Sequence, residues 1–175
     1  MQTFKIALTI VVSLLLQMLL TKYLVFFRYI DLPLLVTVYF ALQRSPIMGM
    51  LVGTVSGIGF DIIGAGILGV RGFSKTLIGY LVAITSIKFS LENPFARLAV
   101  VAVASAADTV IFIGLNLMLE NPLPGVNTWA QFGKIIGWRT LGDTTTAVFL
   151  YLLLDRLFSE QAAARRMAIK RRFYE

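Results

Sequence analysis

Long apolar runs alternate with short polar breaks along the chain, and the runs predict helices. Apolar residues dominate six stretches, at 4–27, 32–42, 47–68, 76–91, 98–119 and 129–158. A helix needs about 20 residues to cross the roughly 30 Å of hydrocarbon in a bilayer, so the pattern predicts about six transmembrane helices. The second stretch has only 11 residues, which predicts either a strained span or a re-entrant segment.

The breaks between the runs contain charged and turn-forming residues, which are typical of short loops. The last run is longer than one span needs, and Trp129 and Trp138 near its start favour headgroup depth. We therefore expect an all-α fold, a polytopic membrane helix bundle over 1–158. A basic cytoplasmic tail is expected at 159–175.

Composition supports lipid as the solvent for most side chains. The 175 residues are 58% hydrophobic and 14% charged, whereas soluble domains have about 45–50% apolar and about 25% charged residues. The chain has no cysteine and no histidine. This excludes disulfides, thiol nucleophiles, cysteine or histidine metal sites and Ser-His-Asp triads. No enzymatic activity and no cofactor is expected.

The net charge of +7 indicates a membrane surface rather than nucleic acid, because the positive residues are densest beside the last apolar run. Cytoplasmic loops carry an excess of Lys and Arg, so the charge distribution also predicts orientation. With the N-terminus inside, five positive residues lie outside: Lys22, Arg28, Arg71, Lys75 and Lys134. Ten lie inside: Lys5, Arg44, Lys88, Arg97, Arg156, Arg165, Arg166, Lys170, Arg171 and Arg172. Both ends are therefore expected in the cytoplasm.

The third run contains a row of small residues that ends in an acid. Gly49, Gly53, Gly57 and Asp61 follow one another at intervals of four, so they lie on one face of a helix. Small residues let another helix approach closely, which is how membrane helices associate. The face could pack inside the same bundle, or it could bind a helix of a partner protein. A second pair of this kind, Gly133 and Gly137, precedes the last span.

Several polar residues fall within the apolar runs. A charge at the bilayer centre costs at least about 2.5–3.5 kcal/mol, so each needs a partner, a water-filled cavity or a proton. Asp108 has no charged neighbour nearby in sequence and is expected to find a partner on another helix. Asp143 has Arg139 four residues earlier, so an ion pair within one helix is available. For Asp61, Asp108 and Asp143 the alternatives are structural pairing and a functional contact or proton role. The first run carries an inward-facing polar stripe of Lys5, Thr9, Ser13, Gln17 and Thr21.

The third to fifth runs resemble a known family. The residues that carry the resemblance are Gly57-Ile58-Gly59-Phe60-Asp61, Gly64, Leu68-Gly69, Gly72-Phe73-Ser74, Leu77-Ile78-Gly79-Tyr80-Leu81 and Ala107-Asp108-Thr109-Val110. Together with the size and the hydrophobic layout of nearly the whole chain, they resemble the rod shape-determining protein MreD family.

The resemblance implies a non-enzymatic scaffold of the cell-wall elongation complex in the bacterial inner membrane. Members of that family bind MreC, a single-pass protein with a periplasmic domain. They act in a complex with the MreB filament and the wall-synthesis enzymes. Their bundle is similar to the substrate-binding subunits (S-components) of energy-coupling-factor transporters. On this chain, packing physics would place the partner helix on the face formed by Gly49, Gly53, Gly57 and Asp61.

That similarity leaves a second function open, a subunit that binds a vitamin-like small molecule for a transporter. Such a site needs an enclosed pocket with converging polar groups. Asn127, Trp129 and Gln131 are the natural lid residues for it.

Overall fold

The computed structural model describes residues 2–23, 29–43, 45–64, 66–89, 93–121 and 128–157. These residues form six helices and no strand: α1 Gln2–Tyr23, α2 Leu32–Ala41, α3 Pro46–Gly64, α4 Val70–Lys88, α5 Pro94–Met118 and α6 Trp129–Leu157. The all-α prediction is confirmed for this part of the chain. The predicted tail at 159–175, Asn127, Arg28 and Arg44 lie outside the described residues.

Helix starts follow local sequence signals at two places. The side chain of Asp31 accepts a hydrogen bond from the Leu34 amide at 2.9 Å, and Asn93 accepts one from the Phe95 amide at 3.0 Å. A proline in the first turn of α2 and of α5 follows each cap. Proline is favoured there because its missing N–H would be unbonded anyway.

α2 is the centre of the bundle. All ten of its residues are buried, and it contacts each of the other five helices. A helix that is apolar on every side belongs in a core. Ten residues extend only about 15 Å, half of the hydrocarbon thickness. The second apolar run therefore forms a short core helix, and it cannot cross a bilayer upright.

Three helical segments, Phe4–Tyr23, Pro46–Gly64 and Pro94–Met118, are long and apolar enough to cross a membrane. α4 and α6 have 19 and 29 residues, but charged residues interrupt them. The described structure thus supports a helical protein with three candidate spans, which is a coarser result than the predicted six.

The outer surface of the bundle is strongly apolar. α1 exposes a nearly continuous set of large side chains, including Phe4, Leu8, Val11, Leu15 and Leu19. By contrast, Gln17 is 3% exposed and Lys75 is fully buried. Water-soluble domains place their charged groups on the surface. The bundle has the reverse distribution, with apolar side chains outside and polar ones inside.

Candidate functional site

The glycine face of α3 packs against the backbone of α4. A methyl group built on Gly49 would lie 2.6 Å from the carbonyl oxygen of Gly79, and one on Gly57 would lie 2.5 Å from that of Arg71. A methyl group on Gly53 would overlap the carbonyl oxygen of Lys75. Of the two alternatives for this face, the structure shows packing within the chain. A partner helix cannot occupy these glycines while α4 is in place, which corrects the expectation that it packs there.

Asp61, the acid that ends this face, is buried and holds the start of α4. Its carboxylate accepts hydrogen bonds from the amides of Gly69, Arg71 and Gly72 at 2.9, 3.1 and 3.3 Å. First-turn amides have no partner within their own helix, and the helix dipole favours a negative charge beside them. Gly69, with φ of 96°, offers no side-chain cap. Asp61 therefore caps α4 from a neighbouring helix.

Arg71 joins three helices beside this cap. Its Nε lies 3.6 Å from an Asp61 oxygen. Its guanidinium carbon lies 4.2 Å from the ring centre of Phe60 and 4.5 Å from that of Phe112. Cations attract the faces of aromatic rings at such distances, so Arg71 connects α4 to α3 and α5.

Five ionisable residues meet inside the bundle, and we call them the central charge cluster: Asp31, Lys75, Asp108, Arg139 and Asp143. Lys75 Nζ lies 2.6 Å from Asp31 Oδ2 and 3.6 Å from Asp108 Oδ2. Arg139 Nη2 lies 3.2 Å from the same Asp31 oxygen. The cluster thus joins the start of α2 to α4, α5 and α6.

Asp108 has its partners on another helix, as the sequence predicts. Besides the contact with Lys75, it accepts a hydrogen bond at 2.6 Å from the hydroxyl of Ser74. Both partners are in α4. A buried carboxylate needs such compensation because desolvation otherwise destabilises the charged form.

Asp143 and Arg139 do not form the ion pair that their spacing makes available. Asp143 accepts hydrogen bonds from the Asp31 amide at 2.7 Å and from the hydroxyl of Ser105. Arg139 instead reaches Asp31, the carboxylate that also pairs with Lys75. Its Nε is buried without a hydrogen-bond partner among the described residues.

Gln17 joins α1 to the chain segment that enters α2. Its side-chain amide donates to the carbonyl of Ile30 at 2.8 Å and accepts from the amide of Leu32 at 3.0 Å. Gln17 and Ser13 are buried, so the inward polar stripe of α1 is confirmed at these two positions. Lys5 and Thr21, at its ends, are exposed.

The sequence pattern missed Asp31 and Lys75 because both appeared to lie in loops. α4 begins at Val70 rather than near 76, and this places Arg71, Lys75 and Gly79 at intervals of four on the face that meets the α3 glycines. The spacing of Arg71, Lys75 and Gly79 is the sequence signal that these three residues share one helix face. With Arg71 and Lys75 in α4, three of the five positive residues expected outside remain, against ten expected inside.

A groove of about 300 Å³ lies between α4 and α5. Apart from Thr85, its lining is apolar: Ile78, Leu81, Val82, Ala99, Val100, Val103, Ala104 and Ala107. Ligand pockets need several converging polar groups, which this lining does not offer. Within the described part of the chain, no three acidic side chains are arranged to hold a metal ion.

No family model matches the chain, and no curated protein or solved structure is significantly similar to it.

Proposed function

We propose that this protein is a multi-pass scaffold in the bacterial inner membrane that serves the cell-wall elongation complex. The observation that carries the proposal is the reversed distribution of polarity. α1 presents large apolar side chains outward, while Lys75, Asp31 and Gln17 are buried. Lipid tails and partner helices are the environment that such a surface suits.

In this proposal α4 and α6 also cross the bilayer, with the charged side chains of their middle parts, Lys75, Arg139 and Asp143, turned toward the bundle. Intramembrane charges normally face a bundle interior and pair there, as Lys75 and Arg139 do. α2 then occupies only part of the bilayer and is surrounded by the other helices. The excess of positive residues at the inner ends supports a cytoplasmic location for both termini.

The resemblance to the MreD family supports the choice of complex. The residues that carry it include Gly57, Asp61, Gly72 and Gly79, and these build the contact between α3 and α4. The residues that carry the resemblance are therefore ones that allow α3 and α4 to pack closely. The proposed partner is an MreC-like single-pass membrane protein, with the MreB filament and wall-synthesis enzymes in the same assembly.

Because α4 fills the glycine face of α3, the partner helix would contact the outer surface of the bundle. Gly133 and Gly137 of α6 have open space around them, with no described atom within 4 Å of a built methyl group. Glycines spaced by four permit close helix approach, so the proposed contact for the partner helix is this part of α6.

Copurification tests the proposal. The tagged protein is extracted in mild detergent from its native membranes, and the proteins that accompany it are identified by mass spectrometry. We expect a single-pass protein with a large extracytoplasmic domain in a fixed ratio. Gly133→Leu should reduce this ratio, whereas Gly114→Leu, at another glycine with open space, should not.

The same preparation tests the transporter alternative. A vitamin-like small molecule released on denaturation, without a copurified single-pass protein, would overturn the scaffold proposal. Recovery of the chain with neither would also contradict it. The apolar lining of the α4–α5 groove is the reason that we favour the scaffold.

A further inference from the structure

The central charge cluster contains more acids than bases. Asp31, Asp108 and Asp143 face Lys75 and Arg139, so three carboxyl groups meet two cations. Arg71, which pairs with Asp61, also interacts with Asp31, and including both residues leaves the same excess of one acid. Each carboxyl group of the cluster is at most 4% exposed. A buried, uncompensated charge is strongly unfavourable, and one acid of the cluster has no counter-charge among the side chains that the structure describes.

The cation contacts single out one of the three acids. Asp31 contacts both Lys75 and Arg139, and Asp108 contacts Lys75. Asp143 is fully buried, and among the described residues its hydrogen-bond partners are uncharged: the Asp31 amide and the Ser105 hydroxyl.

The position of Arg139 points the same way. It lies four residues before Asp143, a spacing at which an arginine and a carboxylate readily pair on a helix. Arg139 nevertheless reaches across to Asp31, and its Nε is buried with no hydrogen-bond partner in the part of the chain that the structure describes. An ionised Asp143 would offer that donor an acceptor within one turn.

We propose that Asp143 is a proton-binding site in the interior of the bundle, occupied at neutral pH. The proton is bound to Asp143 Oδ2, which donates it in a hydrogen bond to Ser105 Oγ. The other carboxyl oxygen, Oδ1, accepts from the Asp31 amide. A hydroxyl group both donates and accepts, so Ser105 can accept from the carboxyl group while its own hydrogen turns to a carbonyl of α5. When the proton leaves, Arg139 gains a second carboxylate to contact.

The surroundings of Asp143 allow this exchange to remain local. The charged and titratable residues on the elements packed against it are Tyr29 and Asp31 before α2, Tyr39 on α2, Arg97 and Asp108 on α5, and Lys134, Arg139, Tyr151, Asp155 and Arg156 on α6. Asp155, which contacts Tyr39 and Arg97, lies further along α6, about 18 Å from Asp143 at 1.5 Å per residue. The inference does not depend on the proposed scaffold function.

Infrared spectroscopy of the purified protein in lipid nanodiscs tests the proposal directly. A protonated carboxyl group gives a C=O stretching band that is separate from the carboxylate bands and shifts in D2O. At pH 7 we expect such a band, with an area of one group per chain. It should be lost in Asp143→Asn and retained in Asp155→Asn, whose side chain is 48% exposed in the native protein.

Two further variants keep the result independent of folding. Ser105→Ala removes the hydrogen-bond partner, so the band should persist but shift in frequency. Asn resembles a neutral carboxyl group, so Asp143→Asn should unfold at the temperature of the wild type, while Asp31→Asn should unfold at a lower one. No band in the wild type, a band unchanged in Asp143→Asn, or equal destabilisation by the two Asn variants would each overturn the proposal.

Discussion

Lys75 is a fully buried cation, and its environment explains how the bundle accommodates it. Its Nζ lies between carboxylates of Asp31 and Asp108, which belong to other parts of the chain. The carboxylates replace the water that the ammonium group loses on burial. Removing one partner of such a group leaves the others buried without compensation, which typically costs about 3–5 kcal/mol.

We therefore expect Lys75→Met to lower the free energy of unfolding by about 3–5 kcal/mol, since Asp31 and Asp108 would lose their shared cation. Unfolding in increasing concentrations of a denaturing detergent measures this change. The control is Lys134→Met on the exposed side of α6, which should change stability by less than about 0.5 kcal/mol. In a double-mutant cycle, Asp31→Asn should cost less in the Lys75→Met background than in the wild type. Additive effects would show that the two residues do not interact.

At the scale of elements, the contact between α3 and α4 depends on the absence of side chains at a few positions. Gly53 faces the backbone of Lys75, and a methyl group there would overlap a carbonyl oxygen. Backbone atoms cannot move aside as the end of a flexible side chain can. The helices would have to separate along their whole contact.

Gly53→Ala should accordingly destabilise the protein by more than the roughly 1–3 kcal/mol that is usual for overpacking. Gly133→Ala is the matched control, because the space around Gly133 is open and alanine favours helix by about 1 kcal/mol over glycine. Thermal unfolding of the detergent-solubilised variants gives the comparison. If both substitutions shifted the midpoint in the same direction and by the same amount, close packing at Gly53 would not be limiting.

Asp61 gives the second prediction at this scale. Asp61→Ala removes the acceptor for three amides at the start of α4, and loss of a helix cap costs about 0.5–2 kcal/mol. Hydrogen exchange should become faster at Gly69, Arg71 and Gly72, with little change at the end of the same helix near Ser86. Unchanged exchange at these amides would contradict the capping role.

The elements also show what the sequence could reveal. Periodic apolar runs predicted the helices, and the glycine spacing predicted a packed face of α3, because both follow from local geometry. The start of α4 was predicted too late, since its cap, Asp61, comes from another helix. The same late start places Lys75 in a loop, whereas Asp31 does precede α2 and only its burial is absent from the sequence pattern. Arg139 was paired with its neighbour in sequence although its partner, Asp31, is distant along the chain.

For the whole molecule, the buried cluster and the apolar surface have one consequence for topology. If hydrocarbon surrounds the bundle, the two ends of α5 lie on opposite sides of the membrane, because its 25 residues extend about 37 Å at 1.5 Å per residue. Lys88, before α5, and Asn121, after it, are both exposed. The excess of positive residues predicts that Lys88 is cytoplasmic and Asn121 is not.

The natural absence of cysteine makes this topology directly measurable, because each introduced thiol is the only one in the chain. We expect Asn121→Cys to react with a membrane-impermeant maleimide in intact cells, and Lys88→Cys to react only after the membrane is permeabilised. A third variant, Asp143→Cys, should resist the reagent in both conditions, because position 143 is fully buried. Equal labelling of positions 88 and 121 in intact cells would place both ends of α5 on one side. The apolar surface of the bundle would then have to face something other than a bilayer.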